Sequence, residues 1–196
     1  MKDFTPDELL DTNQAGLDLI KRWEAFRADW YQDSVNVWTI GYGITEKHTP
    51  GVSRETLPGP ITQAKATRLL KRELIRAYEP AVERLIDVPL TANQFAALVS
   101  FCYNVGATNL KRSTLRRKLR RQDYQGAARE FNKWVYADGQ KLRGLVQRRA
   151  DERELFSTPD VAKPNLTVDV EPMEPLQVRP LPYNLPSWIT GPLRLA

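Results

Sequence analysis

Apolar residues recur at helical spacing through most of the chain and at strand spacing in one short stretch. Leu19, Trp23 and Phe26 form an i, i+4, i+7 stripe, with Leu17, Ile20 and Glu24 on an adjoining line, so a helix is predicted whose start is capped by Asp11, Thr12 or Asn13. A shorter helical turn is predicted at Thr5-Pro6-Asp7-Glu8. From Ala28 to Asn36 the helical spacing stops, and Asp33, Ser34 and Asn36 supply turn-forming side chains. The following Val35-Asn36-Val37-Trp38-Thr39-Ile40 is β-branched and aromatic, so a hairpin is expected, with Val37, Thr39 and Gly41 on one face and Trp38, Ile40 and Tyr42 on the other. Gly41 and Gly43 would let another segment approach the backbone closely. They belong to no G-x-G-x-x-G phosphate cradle.

Residues 45–61 carry three prolines and two glycines and read as a loop. Thr62 then caps a long helix with Ala66, Leu70, Leu74 and Tyr78 in register, which Pro80 is expected to end or kink. Val82, Leu85 and Ile86 continue a short helix. Thr91 and Gln94 have the spacing of a capping box ahead of Phe95, Leu98, Phe101 and Cys102, and Gly106 has the character of a C-terminal glycine. Residues 111–121, KRSTLRRKLRR, read as one amphipathic basic helix anchored by Leu115 and Leu119. Ala127, Ala128, Phe131, Trp134 and Val135 predict another helix, and 143–156 the last. After Ser157 eight prolines fall within 38 residues, which excludes regular helix and marks 159–196 as an extended proline-rich tail beyond a globular unit of 1–158. The tail's Tyr183, Trp188, Ile189 and Leu193 favour docking on that unit or on a partner.

Composition narrows the classes. The chain of 196 residues is 41% hydrophobic, enough for one real core. It has no 18-residue apolar run and no basic-then-apolar opening, so neither a membrane anchor nor a secretory signal is expected. The net charge is +5. Lys163, Arg179 and Arg194 against Asp160, Asp169, Glu171 and Glu174 leave the tail at −1, so the globular unit is the basic part and an anionic partner is implied. The basic run 111–121 reads either as a solvated face or as a surface for such a partner. Without aromatic interleaving or zinc spacing, no nucleic-acid partner is expected. Cys102, the single cysteine, sits in apolar company and reads as buried and inert. His48, the single histidine, reads as a surface residue, and no metal or cofactor is expected. A serine triad would need that one histidine beside a nucleophile elbow, and no such motif is present.

The chemistry concentrates between Trp23 and Gly43. Glu24, Asp33 and Thr39 stand nine and six residues apart on a helix, a turn and a strand. One acid to donate a proton and another to handle water is what glycosidic cleavage needs. Glu24 keeps apolar company near a helix C-terminus, and both conditions favour its proton-bearing form. Arg27, three residues on, is within reach and would oppose that. The balance stays open at this level.

Residues 14–157 resemble the phage-type lysozymes, the muramidase endolysins that degrade peptidoglycan. The resemblance rests on Glu24-x-x-Arg27, Asp33 and Thr39 at the family's spacing, and on Thr39-Ile40-Gly41-Tyr42-Gly43. Further on it rests on Ala97-Leu98-Val99-Ser100-Phe101, Tyr103-Asn104-Val105-Gly106, and Gly144-Leu145-Val146-x-Arg148-Arg149-x-x-Glu152. It implies an α+β, mainly helical, two-lobed fold: a small β-sheet lobe and a helical lobe joined by the long helix starting at Thr62.

The implied activity is hydrolysis of the β-1,4 bond between N-acetylmuramic acid and N-acetylglucosamine, leading to host cell lysis. Glu24 would be the general acid, and Asp33 and Thr39 would position or activate water. By the same resemblance Tyr103, Asn104, Trp134 and Arg148 would lie near the substrate, although Tyr103 and Trp134 also suit packing and Arg148 an ion pair. Peptidoglycan is then the partner of a monomeric enzyme that collects in the host cytoplasm. A module that binds the wall or a protein without cleaving is the alternative. Two positions depart from the family, which usually has glycine where Ala25 stands and histidine where Ile44 stands. The proline-rich tail has no family role.

Overall fold

The computed structural model describes residues 11–33 and 36–160. The expected turn at Thr5 and the tail beyond Asp160 lie outside the described residues. Helix α1, Gln14–Glu24, is capped by Asn13, whose side chain accepts from the Gly16 amide at 3.0 Å. A three-stranded antiparallel sheet follows: β1 Arg27–Gln32, β2 Trp38–Gly41 and β3 Ile44–Thr45, in that spatial order. The hairpin is present, and its first strand begins at Arg27, one residue before the stretch where the helical spacing stops. Tyr31 pairs Thr39 and Gln32 pairs Trp38, with a register irregularity between Arg27 and Tyr31. Thr39, Ile40 and Gly41 are buried in succession, so both faces of β2 are covered here. Part of the cover is helical: a Cβ on Gly41 would meet the Ala66 Cβ at 3.2 Å.

The connecting helix starts where Thr62 caps α2, Gln63–Glu73. It widens into a π turn at Leu74–Tyr78 and resumes as α3, Glu79–Leu85. Pro80 therefore neither ends the helix nor sits at its break. It lies in the first turn of α3, where its missing N–H is accommodated by the widened turn before it. Arg76, in the π turn, bonds Glu73 at 2.6 and 3.1 Å and donates to the His48 carbonyl at 3.0 Å, tying the loop after β3 to this connector.

Helix α4, Ala92–Val105, carries the predicted capping box of Thr91 and Gln94 and ends at Gly106, which has φ 85°. Every residue from Phe95 to Cys102 is buried, so α4 is the apolar axis of the molecule rather than a one-sided stripe. Burial pushes the Cys102 thiol up to about 11, in keeping with an inert core residue. The basic run is two short helices, α5 Ala107–Arg112 and α6 Thr114–Leu119, because Ser113 breaks out to cap α6. Leu115 and Leu119 are buried as expected. Helix α7, Tyr124–Phe131, stops short of Trp134. A small hairpin follows, β4 Tyr136–Ala137 and β5 Gln140–Lys141, and then α8, Arg143–Ser157.

One apolar cluster runs from Ile40, Tyr42 and Ile44 through Ala66 and Leu70 to Phe95, Phe101, Phe131 and Phe156. Sheet and helices share it. Ile44 is fully inside this cluster, so the position where histidine is usual serves packing here.

Candidate active site

Glu24 is the last residue of α1. Immediately after it, Ala25 takes φ 51° and ψ 151°, a combination that a residue with a Cβ adopts only under strain of roughly 1–3 kcal/mol. The reversal turns the chain out of the helix and into β1. It also carries Arg27 away from Glu24: the guanidinium stacks over the Tyr31 ring at 5.5 Å. The expected Arg27–Glu24 competition is therefore replaced by a different cation.

That cation comes from α8. Arg148 Nη1 donates to Glu24 Oε1 at 2.8 Å across 124 residues of chain. Arg148 is 5% exposed and Glu24 21%, so the pair is shielded on one side and open on the other. Oε2 of Glu24 faces the β2–β3 turn, where a Cβ on Gly43 would lie 3.4 Å from it and 3.2 Å from the Tyr103 hydroxyl. Gly43 has φ 85°; its missing side chain and its backbone angle both serve this close approach. The Tyr103 hydroxyl donates to the Tyr42 carbonyl at 2.8 Å, and its ring packs on Tyr78 at 4.7 Å. Burial, then the nearby Glu24 charge, pushes the Tyr103 phenol well above its ordinary value.

Asp33 and Thr39 meet at Val37. Asp33 Oδ1 accepts from the Val37 amide at 2.9 Å and Thr39 Oγ1 donates to the Val37 carbonyl at 3.1 Å. Tyr31 links this hairpin to Glu24 electrostatically. Burial pushes its phenol up and Arg27 pulls it back, while Glu24 and Asp33 both add to the rise. Two carboxylates thus lie within electrostatic reach of one phenol, the kind of pair that divides proton donation from water handling.

The other predicted residues divide. Asn104 accepts from Arg149 Nη2 at 2.9 Å, next to Tyr103 in the chain. Trp134 packs edge-on to Phe101 at 5.3 Å and is half-buried beyond the end of α7. His48 is exposed, with Nδ1 3.2 Å from the Thr45 hydroxyl. Among the described residues no group of three or more His, Cys, Asp or Glu is placed to hold a metal ion.

Behind Arg148 lies a charge cluster to which the sequence reading assigned no role. Glu152 Oε1 accepts from Ser100 at 2.9 Å and from Arg148 Nε and Arg149 Nη2, both at 3.2 Å. Arg149 Nε and Glu152 Oε2 stand 3.1 Å apart, close as charges without hydrogen-bond alignment. Both side chains are fully buried. The Arg148–Glu152 and Arg149–Glu152 spacings of four and three on one helix were the visible signal. What could not be read was that this face turns inward.

A partly shielded carboxylate at a helix end and a second carboxylate on a hairpin are thus carried on one α+β scaffold. The phage lysozyme family model matches residues 21–152, and the chain belongs to that family, glycoside hydrolases of the muramidase type. It is 40% identical to an endolysin of Acyrthosiphon pisum secondary endosymbiont phage 1 over 150 residues, covering 74% of this chain and 97% of that protein. It is likewise 40% identical to an endolysin of Bacillus phage B103 over 153 residues, covering 76% of this chain but only 55% of that longer relative. The solved muramidase domain of SpmX from Asticaccaulis excentricus matches with a TM-score of 0.66 and 36% identity, covering 76% of this chain and 99% of that one.

Proposed function

We propose that this chain hydrolyses the β-1,4 bond between N-acetylmuramic acid and N-acetylglucosamine in peptidoglycan and so lyses the host cell. Glu24 is the general acid. Asp33 and Thr39 handle the attacking water, while Tyr103, Asn104, Trp134 and Arg148 lie against the saccharide. The observation that carries this reading is the setting of Glu24: one carboxylate oxygen bound by Arg148 at 2.8 Å, the other beside the side-chain-free Gly43. Glu24→Gln removes the transferable proton with little change of shape. It is expected to abolish clearing of purified peptidoglycan and release of reducing ends, and clearing at the wild-type rate would refute the assignment.

On this reading residues 1–158 form the catalytic domain and 159–196 the proline-rich tail. The protein collects in the host cytoplasm and meets the wall once another protein has opened the membrane. Fractionation of expressing cells before and after lysis checks that route. Among the described residues no helix is long and apolar enough to cross a membrane.

A non-cleaving wall-binding module is the second reading, favoured by the firm hold of Arg148 on Glu24. It predicts retention on cell walls without sugar release.

A further inference from the structure

We infer that Glu152 is a positioning and charge-balancing residue for catalysis, a buried counterweight that keeps two arginines from holding Glu24 permanently ionised. The inference rests on Glu24 being the general acid.

The geometry is specific. Arg148 bridges two carboxylates, giving Nη1 to Glu24 at 2.8 Å and Nε to Glu152 at 3.2 Å. Arg149, fully buried, stands against the same Glu152 and is itself influenced by the Glu24 charge. Around Glu24 the charged or titratable groups are Tyr31 on β1, Tyr78 in the π turn, Tyr103 on α4, and Arg148 and Arg149 on α8. Burial pushes all three phenols above their ordinary value, so they are neutral where the enzyme works. Arg27 and Asp33 act on the same Tyr31 from the hairpin side; on the α8 side the balance is set by two cations and by whatever offsets them.

Glu152 is the one anion in contact with both. Burial pushes its carboxyl up, while Arg149, Arg148 and the Ser100 hydroxyl all pull it back. Burial lowers Arg149 to about 10, which leaves it cationic at neutral pH. At Glu152 burial prevails, leaving the carboxyl above its ordinary value, and the counterweight requires that it still be ionised at the working pH between these two cations. With Glu152 ionised, the α8 cluster presents one net positive charge to Glu24; without it, two. A general acid must hold its proton until the transition state, and each added cation weakens that hold.

Glu152 also fixes direction. Its hydrogen bonds to Ser100 on α4 and to Arg148 Nε set the plane of the guanidinium, and that plane aims Nη1 at Glu24.

The test is the pH dependence of reducing-end release from purified peptidoglycan, whose alkaline limb reports loss of the acid's proton. Glu152→Gln keeps the shape and removes the charge. Its alkaline limb is expected to move to lower pH by about one unit, the size of effect a charge a few ångströms away imposes. Arg149→Met should move the limb the other way, and the double variant should return it toward wild type. Glu152→Asp keeps the charge but loses packing, and is expected to leave the limb in place while lowering the melting temperature. In the Glu152 variants KM should change little; in Arg149→Met, which also loses the hydrogen bond to Asn104, the position of the limb is the diagnostic readout.

A limb unmoved in folded Glu152→Gln or Arg149→Met overturns the inference. If these variants do not fold, the wild-type enzyme decides: carbon-13 titration of the Glu152 carboxyl must show it ionised throughout the active range, and a neutral Glu152 there overturns the proposal. Glu24→Gln is assayed alongside. If it clears wall like wild type, the acid assignment itself has failed. If it is inactive while the limb never moves, only the counterweight has failed.

Discussion

The two carboxylates proposed for catalysis are held in opposite ways. Asp33 is held locally, by a backbone amide four residues on and within one hairpin. Glu24 is held from far away, by an arginine 124 residues later that is itself braced by Glu152 and, through it, by Ser100 on the central helix. A locally held group can be altered with little damage to the rest of the molecule. A group held by the core shares its fate with the core. Function and stability should therefore separate on the hairpin side and travel together on the helical side.

The strongest way to break this contrast is Glu152→Ala. Removing one partner of a buried ion cluster costs about 3–5 kcal/mol. The expected outcome is a large fall in melting temperature together with activity, read by calorimetry and wall clearing. Asp33→Ala should do the reverse: a loss of at least about a hundredfold in rate, with a smaller stability loss than Glu152→Ala, of which the Val37 hydrogen bond accounts for about 1 kcal/mol. If Asp33→Ala unfolds the protein, or Glu152→Ala leaves the melting temperature alone, the contrast fails.

A smaller effect sharpens it at Glu24. Ala25→Gly relieves the φ 51°, ψ 151° strain against the entropy a glycine adds to the unfolded chain. A net gain of about 1 kcal/mol is expected, read as a rise of a few degrees in melting temperature.

The smallest effect is electrostatic and far from the site. Glu130 is buried, which works to raise its carboxyl, but Lys133 at 2.9 Å and Lys118 at 3.0 Å outweigh burial and hold it below its ordinary value. A lowered carboxyl contributes stability above its unfolded value and loses it as pH falls through the folded one. Glu130→Gln should therefore flatten the acid side of the melting-temperature curve and leave the pH dependence of activity alone.

How much of this was legible in the chain follows the same division. The Thr62 and Thr91 caps, the hairpin and the buried Leu115 and Leu119 follow from local spacing and side-chain chemistry, and they stand in the structure where expected. The failures are places where a local rule met a tertiary demand. Arg27 has the right helical spacing to reach Glu24, but the chain leaves the helix between them. Residues 111–121 have one helical pattern, but the Ser113 side chain competes for backbone amides and divides it. Arg149 and Glu152 have the spacing of an ion pair on one helix, and only the packing of α8 on α4 puts them inside. For the proposed site, Glu24, Asp33 and Thr39 stand out by residue type and spacing, and Arg148 is placed nearby by the family resemblance. That Arg148 pairs with Glu24 across 124 residues is visible only in the fold.

Asp160, the last described residue, caps the central helix. Its carboxylate accepts from the Ala92 and Asn93 amides at 2.7 and 2.9 Å, and the Thr158 and Pro159 carbonyls take the Asn93 side chain at 3.2 and 3.3 Å. These contacts close the head of α4, where the first-turn amides have no partner within the helix. A protein shortened after Asp160 keeps that closure, whereas one shortened after Ser157 leaves the Ala92 and Asn93 amides to water at the exposed start of the helix. Three residues thus decide whether the chain or the solvent completes the cap of α4.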